Sequence, residues 1–64
     1  MSGLGLTRRE RELVALVGQG LTNTEIARRM GLGRPTVARI LSNAMAKLGA
    51  TSRAHAVTLV GDQV

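Results

Sequence analysis

The sequence NTEIARRMGLGRPTVARILSNAMAK, residues 23–47, contains the spacing that decides the fold. One apolar segment with helical periodicity ends at Gly31, and a second begins after Gly33. Ala27 is small enough for the two segments to approach closely, Gly31 can take the left-handed conformation of a turn, and Val37 can pack back against the pair. Two helices joined by a short glycine-containing turn form a helix-turn-helix unit, which the sequence therefore predicts.

Signals for helix starts lie on both sides of this unit. Two capping boxes, TRRE at residues 7–10 and TNTE at residues 22–25, place a threonine three residues before a glutamate. Pro35 stands in the first turn of the third helical segment, where its missing N–H costs nothing, and Ser52 can cap a fourth helix. The sequence therefore predicts a compact all-α helix-turn-helix domain of four helices. Its predicted parts are a flexible segment at 1–5, the domain at 6–61 with helices at about 8–18, 23–30, 34–48 and 53–60, and a tail at 62–64.

Basic residues are concentrated in one part of the chain. The protein has 64 residues and a formal net charge of +5, and its charges balance up to Glu25. From Ile26 to Gly61 there is no acidic residue, and the cations in this part are Arg28, Arg29, Arg34, Arg39, Lys47 and Arg53. This charge distribution is typical of proteins that bind a polyanion.

Composition excludes several other classes of protein. Because cysteine is absent, neither a disulfide framework nor a thiolate metal site can form. The chain has no aromatic residue, so the core must be aliphatic and the stacking platforms of single-strand binders are missing. No apolar run is long enough to span a bilayer, and the first residues lack the features of a signal peptide, which favours a cytoplasmic protein without membrane contact.

An enzyme has little support in the sequence. We interpret Glu10 and Glu12 through helix capping and solvent exposure rather than as a pair of acid–base groups. His55, the single histidine, has neither cysteine nor a nearby acid, which favours a surface position over a metal site. The sequence therefore predicts neither catalysis nor a cofactor.

The third predicted helix has two different faces. At 100° per residue, one side carries Val37, Ile40, Leu41, Ala44 and Leu48, which we expect to face the core. The opposite side carries Pro35, Arg39, Ser42 and Ala46, flanked by Ala38 and Asn43. This second face is narrow and polar, so it can enter a major groove about 12 Å wide.

The side chains on that face suit the edges of base pairs. Arg39 can donate two hydrogen bonds to guanine, and Asn43 can bond adenine. Arg34 and Thr36, at the start of the helix, suit phosphates or the first bases. The predicted DNA-contacting residues, with Arg28 and Lys47 as phosphate contacts, are Thr24, Arg28, Arg34, Thr36, Ala38, Arg39, Ser42, Asn43 and Lys47.

A protein-interaction module is the alternative function. The outward face of the third helix carries little charge, and Ala38 adds no hydrogen-bonding group to it. A helix-turn-helix domain with such a face can contact RNA polymerase or a regulatory partner instead of bases.

Six motifs spread over nearly the whole chain resemble the LuxR/FixJ (GerE-like) DNA-binding domain. They are LTxxExEL at 6–13, GLTNxEIA at 20–27, TV at 36–37, SN at 42–43, KLG at 47–49 and SRAxAV at 52–57. The resemblance implies a bacterial transcription regulator, or the output domain of a response regulator, whose third helix reads double-stranded DNA. It also implies a fourth helix that pairs two copies on a near-palindromic promoter site.

The chain departs from the family pattern at three positions. Ala38 stands where the family commonly has lysine, Ile40 where it often has histidine, and Gly33 where it favours serine or threonine at the cap of the third helix. The first change removes a DNA contact of the family, whereas Pro35 offsets the weaker cap.

The fourth helix is the predicted dimer surface. On a helical projection, Leu59 and His55 lie on the outer side, and the inner arc contains Ala54, Ala56, Val57 and Val60. The residues predicted at a homodimer interface are His55, Ala56, Leu59 and Val60.

Overall fold

Four helices and short connections make up the computed structural model, which describes residues 5–61. The helices are α1 (Arg8–Gly18), α2 (Asn23–Met30), α3 (Arg34–Leu48) and α4 (Arg53–Gly61). The all-α prediction is confirmed, and the bounds of the first three helices agree with those expected. α4 is one residue longer than predicted, because it includes Gly61, which was expected to follow the helix. Glycine at a helix end tolerates the right-handed conformation as well as the left-handed one. Of the predicted terminal segments, residues 1–4 and 62–64 lie outside the described residues.

Both capping boxes are present and fix where α1 and α2 begin. Thr7 Oγ1 accepts a hydrogen bond from the Glu10 N–H at 3.1 Å, and Glu10 Oε1 accepts one from the Thr7 N–H at 2.9 Å. Thr22 and Glu25 form the same reciprocal pair, at 3.2 and 2.8 Å. Ser52 caps α4, as predicted, because its Oγ accepts from the His55 N–H at 3.0 Å.

The turn between α2 and α3 depends on a glycine with positive φ. Gly31 has φ 71° and ψ 34°, and its N–H donates to the Ala27 carbonyl. The Leu32 N–H donates to the same carbonyl at 2.8 Å, which ends α2. Gly33 then caps α3 without any side-chain hydrogen bond, and Pro35 lies in the first turn. The predicted helix-turn-helix connection is therefore formed by residues 31–33.

An aliphatic core holds α2 and α3 in place. α1 packs against the other three helices, and α2 packs on α3. Leu13, Ile26 and Val37 have no exposed surface, and Ala27 is 5% exposed at the α2–α3 contact. The core consists of Leu6, Leu13, Val14, Leu16, Ile26, Ala27, Val37, Leu41, Ala44 and Ala56.

The inner arc predicted for α4 is partly wrong. Ala56 is fully buried, and Val57 and Val60 are half-buried and pack against the core. Ala54 is exposed. Two residues at 100° each separate Ala54 from Ala56 by 200°, so the two methyl groups point to opposite sides of the helix.

No helix within residues 5–61 combines the length and the apolar composition that crossing a membrane requires.

Candidate nucleic-acid interface

α3 presents one face to the core and the other to solvent. Val37, Leu41 and Ala44 are buried at 0%, 6% and 0% exposure. Arg39 is exposed, and so are the polar residues Ser42 and Asn43 one turn further along the helix. The orientation predicted from the helical projection is therefore confirmed.

The other residues predicted to contact DNA lie at the surface of α2 and α3. Arg34 is the first residue of α3 and is exposed, as is Ala38, whereas Thr36 is half-buried. Thr24 and Arg28 are exposed on α2. Because α2 packs directly on α3, the helix-turn-helix unit brings these side chains onto two adjacent helices.

The surface of the helix-turn-helix unit is strongly cationic. Arg28, Arg29, Arg34 and Arg39 are all exposed, and none of them forms an ion pair within the part of the chain that the structure describes. Glu25 is the single acidic residue on α2, and its carboxylate accepts a hydrogen bond from the Thr22 N–H in the capping box. The hydrogen bond from the Thr22 backbone N–H holds the pKa of Glu25 below its ordinary value, with smaller contributions from the nearby arginines.

Lys47 has a partner that the sequence did not indicate. Its Nζ lies 2.9 Å from Glu10 Oε1 and 3.0 Å from Glu10 Oε2. The side chain of Glu10 is only 8% exposed, so its predicted exposure to solvent is wrong, although its capping role is confirmed. The hydrogen bond from Lys47, followed by that from the Thr7 backbone, lowers the pKa of the Glu10 carboxyl. Sequence reasoning had no signal for this pair, because 37 residues separate its members.

A second side-chain contact connects α4 to the start of α2. Arg53 Nη1 donates to Asn23 Oδ1 at 2.9 Å. Otherwise these two helices do not pack against each other. The contact retains the positive charge of Arg53, because its partner is a neutral amide.

The residues predicted at the dimer surface fall into two groups. His55 is exposed, and Leu59 is half-buried but is not among the apolar residues that pack on the core within residues 5–61. Ala56 was wrongly assigned to the interface, because it is fully buried within its own chain and offers no surface to a partner. Val60 is half-buried and contributes to the core of its own chain.

Comparison with known proteins decides the family. A family model described as bacterial regulatory proteins, luxR family (GerE), matches residues 4–60. The chain belongs to the LuxR family.

Relatives of this LuxR-family domain include three named bacterial proteins. The chain is 52% identical over 54 residues to the probable transcriptional regulatory protein SgaR of Hyphomicrobium methylovorum, covering 84% of this chain and 26% of the relative. It is 48% identical over 52 residues to the transcriptional activator DevR/DosR of Mycobacterium tuberculosis, covering 81% and 24%. It is 46% identical over 52 residues to the spore germination protein GerE of Bacillus subtilis, covering 81% and 70%. The chain thus spans about a quarter of the length of the first two relatives.

The three departures from the LuxR-family pattern take different places in the structure. Ala38 is exposed on α3, so its methyl group stands at the surface where a lysine would reach outward. Ile40 is half-buried and packs against the core, and therefore contributes to stability. Gly33 caps α3 through its backbone alone, with Pro35 in the turn that follows.

Proposed function

We propose that this LuxR-family domain binds double-stranded DNA sequence-specifically, as a bacterial transcription regulator or as the DNA-binding output domain of one. The observation that carries the proposal is the division of α3 into a buried apolar face and an exposed polar face. The exposed face bears Arg39, Ser42 and Asn43 in a region of the chain without acidic residues.

α3 has the dimensions that the major groove requires. Its 15 residues extend over about 22 Å, and its outward side chains are mostly small. In this proposal Arg39 bonds a guanine edge and Asn43 an adenine edge. Ser42 and Ala38 lie beside them, the latter in contact with a thymine methyl group.

Phosphate contacts position α3 in the groove. Arg34 and Thr36 at the start of α3, together with Thr24 and Arg28 on α2, bind the backbone on either side of the bases. The relatives include a probable transcriptional regulatory protein and a transcriptional activator, which supports regulation of transcription rather than catalysis.

A salt titration tests DNA binding. We expect fluorescence anisotropy on a duplex selected from a random pool to show affinity falling as salt rises, with a log–log slope of about −0.9 per phosphate contacted. Because α3 reads bases, a scrambled duplex should bind more weakly at every salt concentration. Failure to bind any duplex at low salt would contradict the proposal and favour the alternative, a module that contacts RNA polymerase or a regulatory partner.

Leu59 supports a homodimer formed through α4. It is an apolar side chain that does not pack on the core formed by the described residues, 5–61, and exposed His55 lies one turn before it. Burying such a side chain between two copies stabilises a dimer by the hydrophobic effect. The two copies would then bind two half-sites on one face of the duplex.

Replacing Leu59 with alanine should separate dimerisation from folding. We expect sedimentation on a two-half-site duplex to show the stepwise binding of single copies, while the circular dichroism of the free protein stays unchanged. Ala15→Ser, an exposed substitution on α1, is the matched control and should leave paired binding intact. Unchanged paired binding by Leu59→Ala would exclude Leu59 from the interface.

A further inference from the structure

We propose that Lys47 is a positioning residue of α3, held in place by Glu10, and that it is not the phosphate contact suggested by the sequence. The proposal rests on the proposed DNA binding and deepens it, because it changes which cations face the phosphates.

The first argument is the geometry of the ion pair. Lys47 Nζ is within hydrogen-bond distance of both carboxylate oxygens, at 2.9 and 3.0 Å. The ammonium group has three donors, and two of them are directed at Glu10. The pair carries no net charge, so it releases no counterion from DNA as an unpaired cation does.

The second argument is the burial of Glu10. Its side chain is 8% exposed, whereas that of Lys47 is 42% exposed. If Lys47 turned towards a phosphate, Glu10 would remain as a charged carboxylate with little access to water, which is costly. Retaining Lys47 at Glu10 is therefore favoured over a phosphate contact at the exposed surface.

The third argument is the position of the pair in the fold. Glu10 Oε1 also accepts the Thr7 N–H, so a single carboxylate joins the capping box of α1 to the last turn of α3. The other end of α3 begins at Gly33 without a side-chain cap. The pair therefore holds the last turn of α3 against the start of α1, at the end opposite to this uncapped start, and with it the direction in which Arg39 and Asn43 point.

Two readouts test the proposal on the double variant Glu10→Gln/Lys47→Met. Glutamine retains the capping hydrogen bonds, and removing both charges avoids the unpaired carboxylate that Lys47→Met alone would leave. The salt slope for the selected duplex reports whether a phosphate contact was lost. Hydrogen exchange of the amides in α3, measured without DNA, reports whether its last turn was loosened.

For the double variant, we expect an unchanged salt slope and roughly a three- to tenfold loss of preference for the selected over the scrambled duplex. Exchange should become faster in the last turn of α3 and stay unchanged in α2. Lys47→Arg alone, with Glu10 unchanged, can keep the ion pair and should retain the preference. Arg34→Met is the positive control, and its slope should be about 0.9 smaller in magnitude.

Two results would overturn the assignment. A slope reduced by about 0.9 in the double variant, with equal losses on both duplexes, would make Lys47 a phosphate contact. Unchanged exchange in the last turn of α3 would show that the pair does not position this helix. If the parent protein binds no duplex, the proposed function fails, whereas the exchange measurement still decides the positioning role.

Discussion

Replacing Leu13 with alanine is expected to lower the free energy of unfolding by about 2–5 kcal/mol. Leu13 has no exposed surface and belongs to the aliphatic core, and its helix, α1, packs against the other three helices. The substitution removes buried methyl groups and leaves a cavity that the aliphatic neighbours fill only partly. A core of this size rarely supplies more than about 3–5 kcal/mol of stability, so a large fraction of the variant should be unfolded.

Urea denaturation followed by circular dichroism measures this effect, and Leu59→Ala is its matched control. The control makes the same chemical change at a half-buried residue outside the core. At a protein concentration low enough to keep the chain monomeric, we expect it to cost less than about 1 kcal/mol. Similar losses in both variants would contradict the assignment of Leu13 to the core and of Leu59 to the surface outside it.

Local signals made the helices predictable. The hydrogen bonds that start α1 and α2 join residues three positions apart. The spacing of Thr7 and Glu10 in the sequence is therefore enough to predict the bonds at the start of α1. Gly31 ends α2 through its own backbone conformation, again without help from distant residues. The division of α3 into two faces follows from helical periodicity, because the apolar and polar residues are well separated around its axis.

Contacts between distant residues were not predictable in the same way. Glu10 is joined to Lys47 across 37 positions, and Arg53 to Asn23 across 30. Glu10, Lys47 and Arg53 each have an adequate local interpretation as a cap or a solvated charge. Only the packing of α1 on α3 brings the last turn of α3 beside the start of α1 and buries Glu10 there.

α4 was difficult for a different reason. Its sequence RAHAVTLVG carries small and apolar residues almost all round the helix, so no single apolar stripe separates the core side from the outer side. Ala54 and Ala56 are the same residue type, so the residue type does not distinguish them. Only Ala56 is buried, because its side of α4 faces the rest of the chain. The assignment of Ala56 to a dimer interface was wrong for this reason.

Arg39→Ala should have the largest effect on sequence-specific binding. Arg39 is exposed at the middle of the outward face of α3, and an arginine there can donate two parallel hydrogen bonds to guanine. We expect the affinity for the selected duplex to fall by about 1–3 kcal/mol, and the base preference at one position of each half-site to be lost. The scrambled duplex should lose less, because it offers no guanine in the right place for this contact.

Arg9→Ala is the control for the change in net charge. Arg9 is exposed on α1, outside the proposed interface, so its removal should weaken both duplexes slightly and equally. Anisotropy titrations of both variants on both duplexes then separate base reading from general electrostatic attraction, because only loss of a base contact lowers the ratio of the two affinities. If Arg39→Ala lowered both affinities by the same factor, Arg39 would be a phosphate contact, and Asn43 would be the remaining candidate for reading bases.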